Sequence, residues 1–201
     1  MQIERNWPDL MMRMNNVILS SDISDGLSSD LVNKGWLGYP GATEDEIRLL
    51  EQRLNVNLPP SYRKFLSFSN GWQGKLSWQI DDLLPANKVD WFSILHENWL
   101  KVFSDPALLA IEDELITDEF YFEDLGDFGD AASTRHRYLK NCLAISGRGD
   151  GAILLLNPAI VFEHGEWEAW FFANWLPGAQ RYRSFWDLMQ SLYKQISSSE
   201  P

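Results

Sequence analysis

Two carboxylates two positions apart, Glu166 and Glu168, are the nearest thing in this sequence to a catalytic pair. On a strand they would share one face with Cβ atoms roughly 6–7 Å apart, close to the spacing at which paired carboxylates cleave glycosidic bonds. The chain also carries ten Trp, which could stack against sugar rings. Alternating Glu on a strand more commonly mark a solvated face, and neither residue has an evident reason for a raised pKa. The expectation is a solvated face, with a carbohydrate-active enzyme as a remote alternative.

Nucleophiles and metal ligands are scarce. The single Cys, Cys142, opens an apolar run and reads as a small buried hydrophobe. Ser146 precedes a glycine, but no G-x-S-x-G elbow surrounds it. His96, His136 and His164 have no metal-ligand spacing to one another or to the Cys. His136 sits in Thr-Arg-His-Arg-Tyr, beside cations that would oppose its protonation. The run Gly147-Arg148-Gly149-Asp150-Gly151-Ala152 fits a dinucleotide-loop pattern, yet it opens Ile153–Leu156 and a proline rather than a helix. It reads as a turn needing positive φ. No catalytic centre, metal site or cofactor is expected.

The remaining candidate is acidic. The net charge is −12, and most of it lies between Val102 and Thr134, a stretch with no Lys, Arg or His. Its acids are Asp105, Glu112, Asp113, Glu114, Asp118, Glu119, Glu123, Asp124, Asp127 and Asp130, interleaved with Leu115, Ile116, Phe120, Tyr121, Phe122, Leu125 and Phe128. A charge run is ordinarily a solvated face. Here apolar anchors accompany the charge, no basic residue lies nearby in sequence to neutralise it, and the self-repulsion makes sense if a cationic partner relieves it. The residues expected to bind that partner are Glu112, Asp113, Glu114, Asp118, Glu119, Glu123, Asp124, Asp127 and Asp130, with Tyr121, Phe122 and Phe128 as aromatic anchors. The same acidity argues against direct nucleic-acid binding, which needs Lys and Arg on the phosphates.

Several elements must position these residues. Residues 7–19 read as a short helix with a Met-rich face. Thr43-Glu44-Asp45-Glu46 is a capping box opening a helix over 44–54 with Ile47, Leu50 and Leu54 on its apolar side. Leu58-Pro59-Pro60 starts a further helix bearing Tyr62, Phe65 and Leu66, ended by Asn70-Gly71. Ser184 and Asp187 open a closing amphipathic helix through Ile196. Between them, 76–80, 142–146, 152–156 and 167–172 read as strands, with a hairpin across 147–151 and breaks at Asn157-Pro158 and His164-Gly165. Ile153–Leu156 is apolar throughout, the mark of a strand covered on both faces. Helices, then an antiparallel meander, then a helix describe an α+β fold: a central antiparallel β-sheet of about 4–6 strands flanked by helices. One Cys excludes a disulfide scaffold. No apolar stretch is long enough to span a bilayer, and residues 1–16 lack a secretory signal's apolar region, so the expected address is cytoplasmic.

In order, these motifs resemble the SMI1/KNR4 (SUKH) signature. The resemblance is carried by Gly41-Ala42-Thr43-Glu44-Asp45-Glu46-Ile47, then Leu50-Glu51, Leu58-Pro59-Pro60-Ser61-Tyr62-Arg63, Phe65-Leu66 and Ser69-Asn70-Gly71. Further along, Leu143-Ala144-Ile145, Gly149-Asp150-Gly151, Leu154–Pro158, Gly165–Trp170, Pro177-Gly178 and Ser184-Phe185 are similar to the family's hairpin, closing strand and last helix. Residues 1–35 then form an N-terminal helical extension and 36–201 the SMI1/KNR4-like domain, with an acidic insertion at about 102–134 that matches no family motif. The resemblance implies a non-catalytic domain with a protein partner. Many bacterial members look like immunity proteins that bind and block a toxin, and fungal members are regulators of cell-wall synthesis. The expectation is an immunity protein neutralising a basic, possibly nuclease, toxin domain. The alternative is a regulatory or scaffold protein bound to an endogenous partner.

Overall fold

A computed structural model describes residues 5–123, 125 and 131–198 of the chain. Local capping chemistry sets the helix starts. Helix α1 (Trp7–Ser20) begins where the Asn6 side chain accepts the Asp9 N–H at 3.1 Å, and it turns Trp7, Leu10, Met11, Met14 and Ile18 inward. Short α2 (Ser29–Lys34) is capped by Ser28 and closed by left-handed Gly35. In α3 (Glu44–Leu54) the capping box is complete: Thr43 Oγ1 accepts the Glu46 N–H at 3.2 Å and Glu46 Oε2 accepts the Thr43 N–H at 2.8 Å. Helix α4 (Pro60–Phe68) follows Pro59 and buries Tyr62, Phe65 and Leu66. Gly71 follows at φ +98°, where an added Cβ would lie 2.5 Å from the Leu83 carbonyl oxygen.

Five strands, β1 (Asp90–Trp91), β2 (Leu143–Ala144), β3 (Ala152–Val161), β4 (Trp167–Ala173) and β5 (Ala179–Tyr182), form one antiparallel sheet in sequence order. Alternation along β3 divides the interior. Ala152, Leu154 and Leu156 face a large core shared with α1, α3, α4 and α9 (Phe185–Ser198). Ile153 and Leu155 join Trp170, Phe172, Phe92, Leu139 and Cys142 in a second core on the other face. The apolar run is therefore covered on both sides, as its composition implies. At the centre of the first core, Trp7 lies 4.8 Å from Trp186 and 5.3 Å from Phe65, ring centre to ring centre. Residues 7–20 thus pack into the same core as the sheet.

Over the second core the chain forms α5 (Phe92–Leu95), α6 (Glu97–Val102), α7 (Pro106–Leu115), α8 (Asp118–Glu123) and a 3₁₀ stretch, His136–Asn141. Two expectations fail here. Residues 76–80 are not a strand: Ser77 Oγ accepts the N–H groups of Gln79 and Ile80, and Leu76 N–H closes back on the Ile80 carbonyl, making a tight turn. Asn157-Pro158 does not end its strand either. The register shifts between Asn157 and Val161, and a bulge is one of the few places where a sheet tolerates a residue with no N–H.

Candidate protein-binding face

The expectation of a solvated face for Glu166 and Glu168 fails: both are buried as structural groups. Neither residue is solvated: Glu168 is fully buried and Glu166 is 3% exposed. Glu168 accepts hydrogen bonds from Tyr121 Oη (2.7 Å), Trp170 Nε1 (2.7 Å), Asn157 Nδ2 (2.9 Å) and Arg181 Nη1 (3.0 Å). The Arg181 guanidinium also lies 3.8 Å above the Tyr121 ring and donates to the Tyr121 carbonyl and to Ser133 Oγ. Burial, with the Glu168 charge beside it, pushes the Tyr121 phenol well above its usual pKa, so it stays a donor.

Glu166 precedes β4 and serves another element. It accepts the Ser61 N–H at 3.1 Å and the Ser61 hydroxyl at 2.6 Å, and it pairs with Arg5. Pro59 and Pro60 have no side-chain donor or acceptor, so α4 receives its N-terminal cap from a residue far along the chain. The two carboxylates bond to different groups among those described above, and buried as they are they cannot act together on a sugar. Cys142 and Ser146 are equally committed. Burial raises the Cys142 thiol well above its usual pKa, and Ser146 Oγ accepts the Leu154 N–H at 2.9 Å while donating to the Gly147 carbonyl. In the glycine run, a Cβ at Gly149 would lie 2.1 Å from the Gln79 carbonyl oxygen, and Gly151 has φ +72°. Both glycines serve a turn.

The acidic segment is partly neutralised by the chain itself, contrary to the sequence reading. The bases come from just past its end. Glu112 pairs with His136 Nδ1 and accepts the His136 N–H at 2.9 Å. Asp113 meets Arg137 Nη1 at 2.6 Å and Asp118 meets Arg135 Nη2 at 2.8 Å. Buried Arg135 also donates to the Ile116 carbonyl at 2.6 Å, holding the end of α7, and stacks over Tyr121 at 4.9 Å. Tyr121 itself is 0% exposed. It is a latch from α8 to the sheet, not a surface anchor, because its hydroxyl completes the Glu168 site.

Of the eight expected residues that the structure describes, Tyr121 is buried and Glu112 part-buried, while Asp113 and Asp118 stay exposed although each is paired with an arginine. Glu114, Glu119 and Glu123 are exposed. Phe122 is 41% exposed, with its ring edge-on to Phe162. Asp124, Asp127, Phe128 and Asp130 lie outside the described residues. One feature escaped the sequence reading: Leu108, Ile111 and Leu115 of α7 are 56%, 52% and 69% exposed. The available signal was the charge match between Glu112-Asp113 and Arg135-His136-Arg137, which turns that side of the helix inward.

In this α+β domain the carboxylate pair and the thiol of Cys142 are buried as structural groups. The sequence matches the SMI1 / KNR4 family (SUKH-1) over residues 41–191, and the chain belongs to that family. Its motif residues are structural here. Arg63 bridges Glu44 and Glu51, and Asn70 Oδ1 accepts the Ala86 N–H at 2.8 Å. Family membership supports a non-enzymatic, immunity-like domain with a protein partner at the level of the family. No curated protein matches the sequence significantly. Among the described residues, no helix is long and apolar enough to cross a membrane.

Proposed function

We propose that this chain is a non-catalytic, cytoplasmic immunity protein that binds and neutralises a basic toxin domain through the acidic segment 112–130. The observation that carries the reading is the set of exposed carboxylates Glu114, Glu119 and Glu123, which make no ion pair among the described residues, in the same cation-free stretch as part-exposed Phe122. A toxin that acts on a polyanion is itself basic, so an acidic inhibitor meets complementary charge and associates fast. Aromatic anchors ringed by charge are common hot-spot chemistry.

The test is to express the chain with the toxin domains encoded beside it and measure association. Changing Glu114, Glu119 and Glu123 together to Lys should slow association by about tenfold or more and flatten its salt dependence, while circular dichroism stays unchanged. Unaltered kinetics would remove the face from the reading. Absence of binding to any neighbouring toxin would remove the immunity role.

A further inference from the structure

Helix α7 is held to the molecule in an unusual way. Among the described residues it buries no side chain of its own; its anchors are the Glu112–His136 and Asp113–Arg137 pairs and the Arg135 bonds to the Ile116 carbonyl that follows it. The large apolar residues Leu108, Ile111 and Leu115, spaced i, i+3 and i+7, stay more than half exposed. On a helix that spacing draws one continuous stripe, and contiguous apolar surface of this kind marks interaction sites.

We propose that this stripe is the seat of a cationic amphipathic helix belonging to the partner, an inference that rests on the function proposed above. Charge selects the occupant. Glu114 lies beside the stripe on α7, and Glu119 and Glu123 follow on α8, all exposed, with no Lys, Arg or His anywhere from Val102 to Thr134. A second copy of this chain would set those carboxylates against their own kind, a repulsion that disfavours self-association. An anionic lipid surface would be repelled in the same way. A helix with apolar residues every three or four positions and Lys or Arg on its flanks satisfies both features at once: its ridge packs along the stripe and its cations meet Glu114 beside it.

The experiment uses two fluorescent Leu/Lys peptides of about eighteen residues, long enough to form a helix on binding. In one, leucines recur on a single helical face; the other has the same composition scrambled. Anisotropy titrations against the full chain should show the facially ordered peptide binding about tenfold more tightly. Ile111→Asn and, independently, Leu115→Gln should erase that preference with circular dichroism unchanged. Equal affinity for the two peptides, or a preference that survives both substitutions, overturns the inference, as does self-association in sedimentation that Ile111→Asn abolishes. If the triple Lys variant disrupts toxin binding and Ile111→Asn does not, the acidic face stands and this inference alone falls; if neither matters, both fall.

Discussion

Glu168 on β4 and Arg181 on β5 are an ion pair with no solvent on either member: both side chains are fully buried, with 3.0 Å between Glu168 Oε1 and Arg181 Nη1. Removing two charges from water costs more than their attraction returns unless further hydrogen bonds complete the site. Here Tyr121, Asn157 and Trp170 complete the carboxylate, while Tyr121 O and Ser133 receive the guanidinium. One consequence is functional. The same carboxylate that stabilises the sheet fixes α8, and with it the exposed Glu119 and Glu123.

Glu168→Gln should leave Arg181 as an uncompensated buried charge and destabilise the protein by about 3–5 kcal/mol. Pairing it with Arg181→Met should recover part of that loss. Urea unfolding of both variants checks the expectation, and an unchanged midpoint for Glu168→Gln would contradict the buried pair.

Tyr121→Phe keeps the ring under Arg181 but removes the donor to Glu168. A cost of about 1–2 kcal/mol is expected from the lost bond and the acceptor left short of a partner. Amide exchange over 118–123 should accelerate more than exchange in β3. A uniform change across the chain would show that Tyr121 does not latch α8 locally.

Glu166→Ala removes the remote cap of α4 together with the Arg5 pair. The expected loss is about 1–2 kcal/mol, in line with removal of a helix cap. Faster exchange of the Ser61 amide is the local signature to look for. If that amide stays protected, the capping role is refuted.

His96 packs on Phe92 and Trp99, and burial, then the Arg148 charge, lower its pKa from the usual 6.5. The folded state therefore favours the neutral ring. As pH falls below about 6.5, the unfolded chain takes up a proton that the fold resists, so this contribution to stability is complete above that pH and declines below it. Unfolding midpoints at pH 7.5 and pH 5.5 should differ less in His96→Gln than in the parent protein. An equal pH dependence in both would dismiss the shift.

Cys142 is buried with a thiol pKa raised by desolvation. Since the thiolate is the reacting form, a disulfide reagent should label native protein only at the rate at which the molecule opens, and promptly in urea. Rapid labelling under native conditions would show an accessible thiolate.

Where structure depends on neighbours in sequence, these residues announce it. Thr43 and Glu46 cap a helix across three positions, Ile47, Leu50 and Leu54 define its inner face, and the hairpin around Gly149 and Gly151 follows from a turn between two apolar runs. Those local signals, in order, establish the antiparallel sheet, the flanking helices and the family. The candidate site was only half legible. That the acids of 102–134 are concentrated and flanked by apolar residues can be read directly, but which of them remain available cannot. Asp113 finds Arg137 at a separation of 24 residues, Tyr121 finds Glu168 at 47 and Glu166 finds Ser61 at 105. Pairing at such distances is decided by how helices and strands pack, because a charge in a folded chain answers to whatever lies within a few ångströms, and only the tertiary structure brings those groups together.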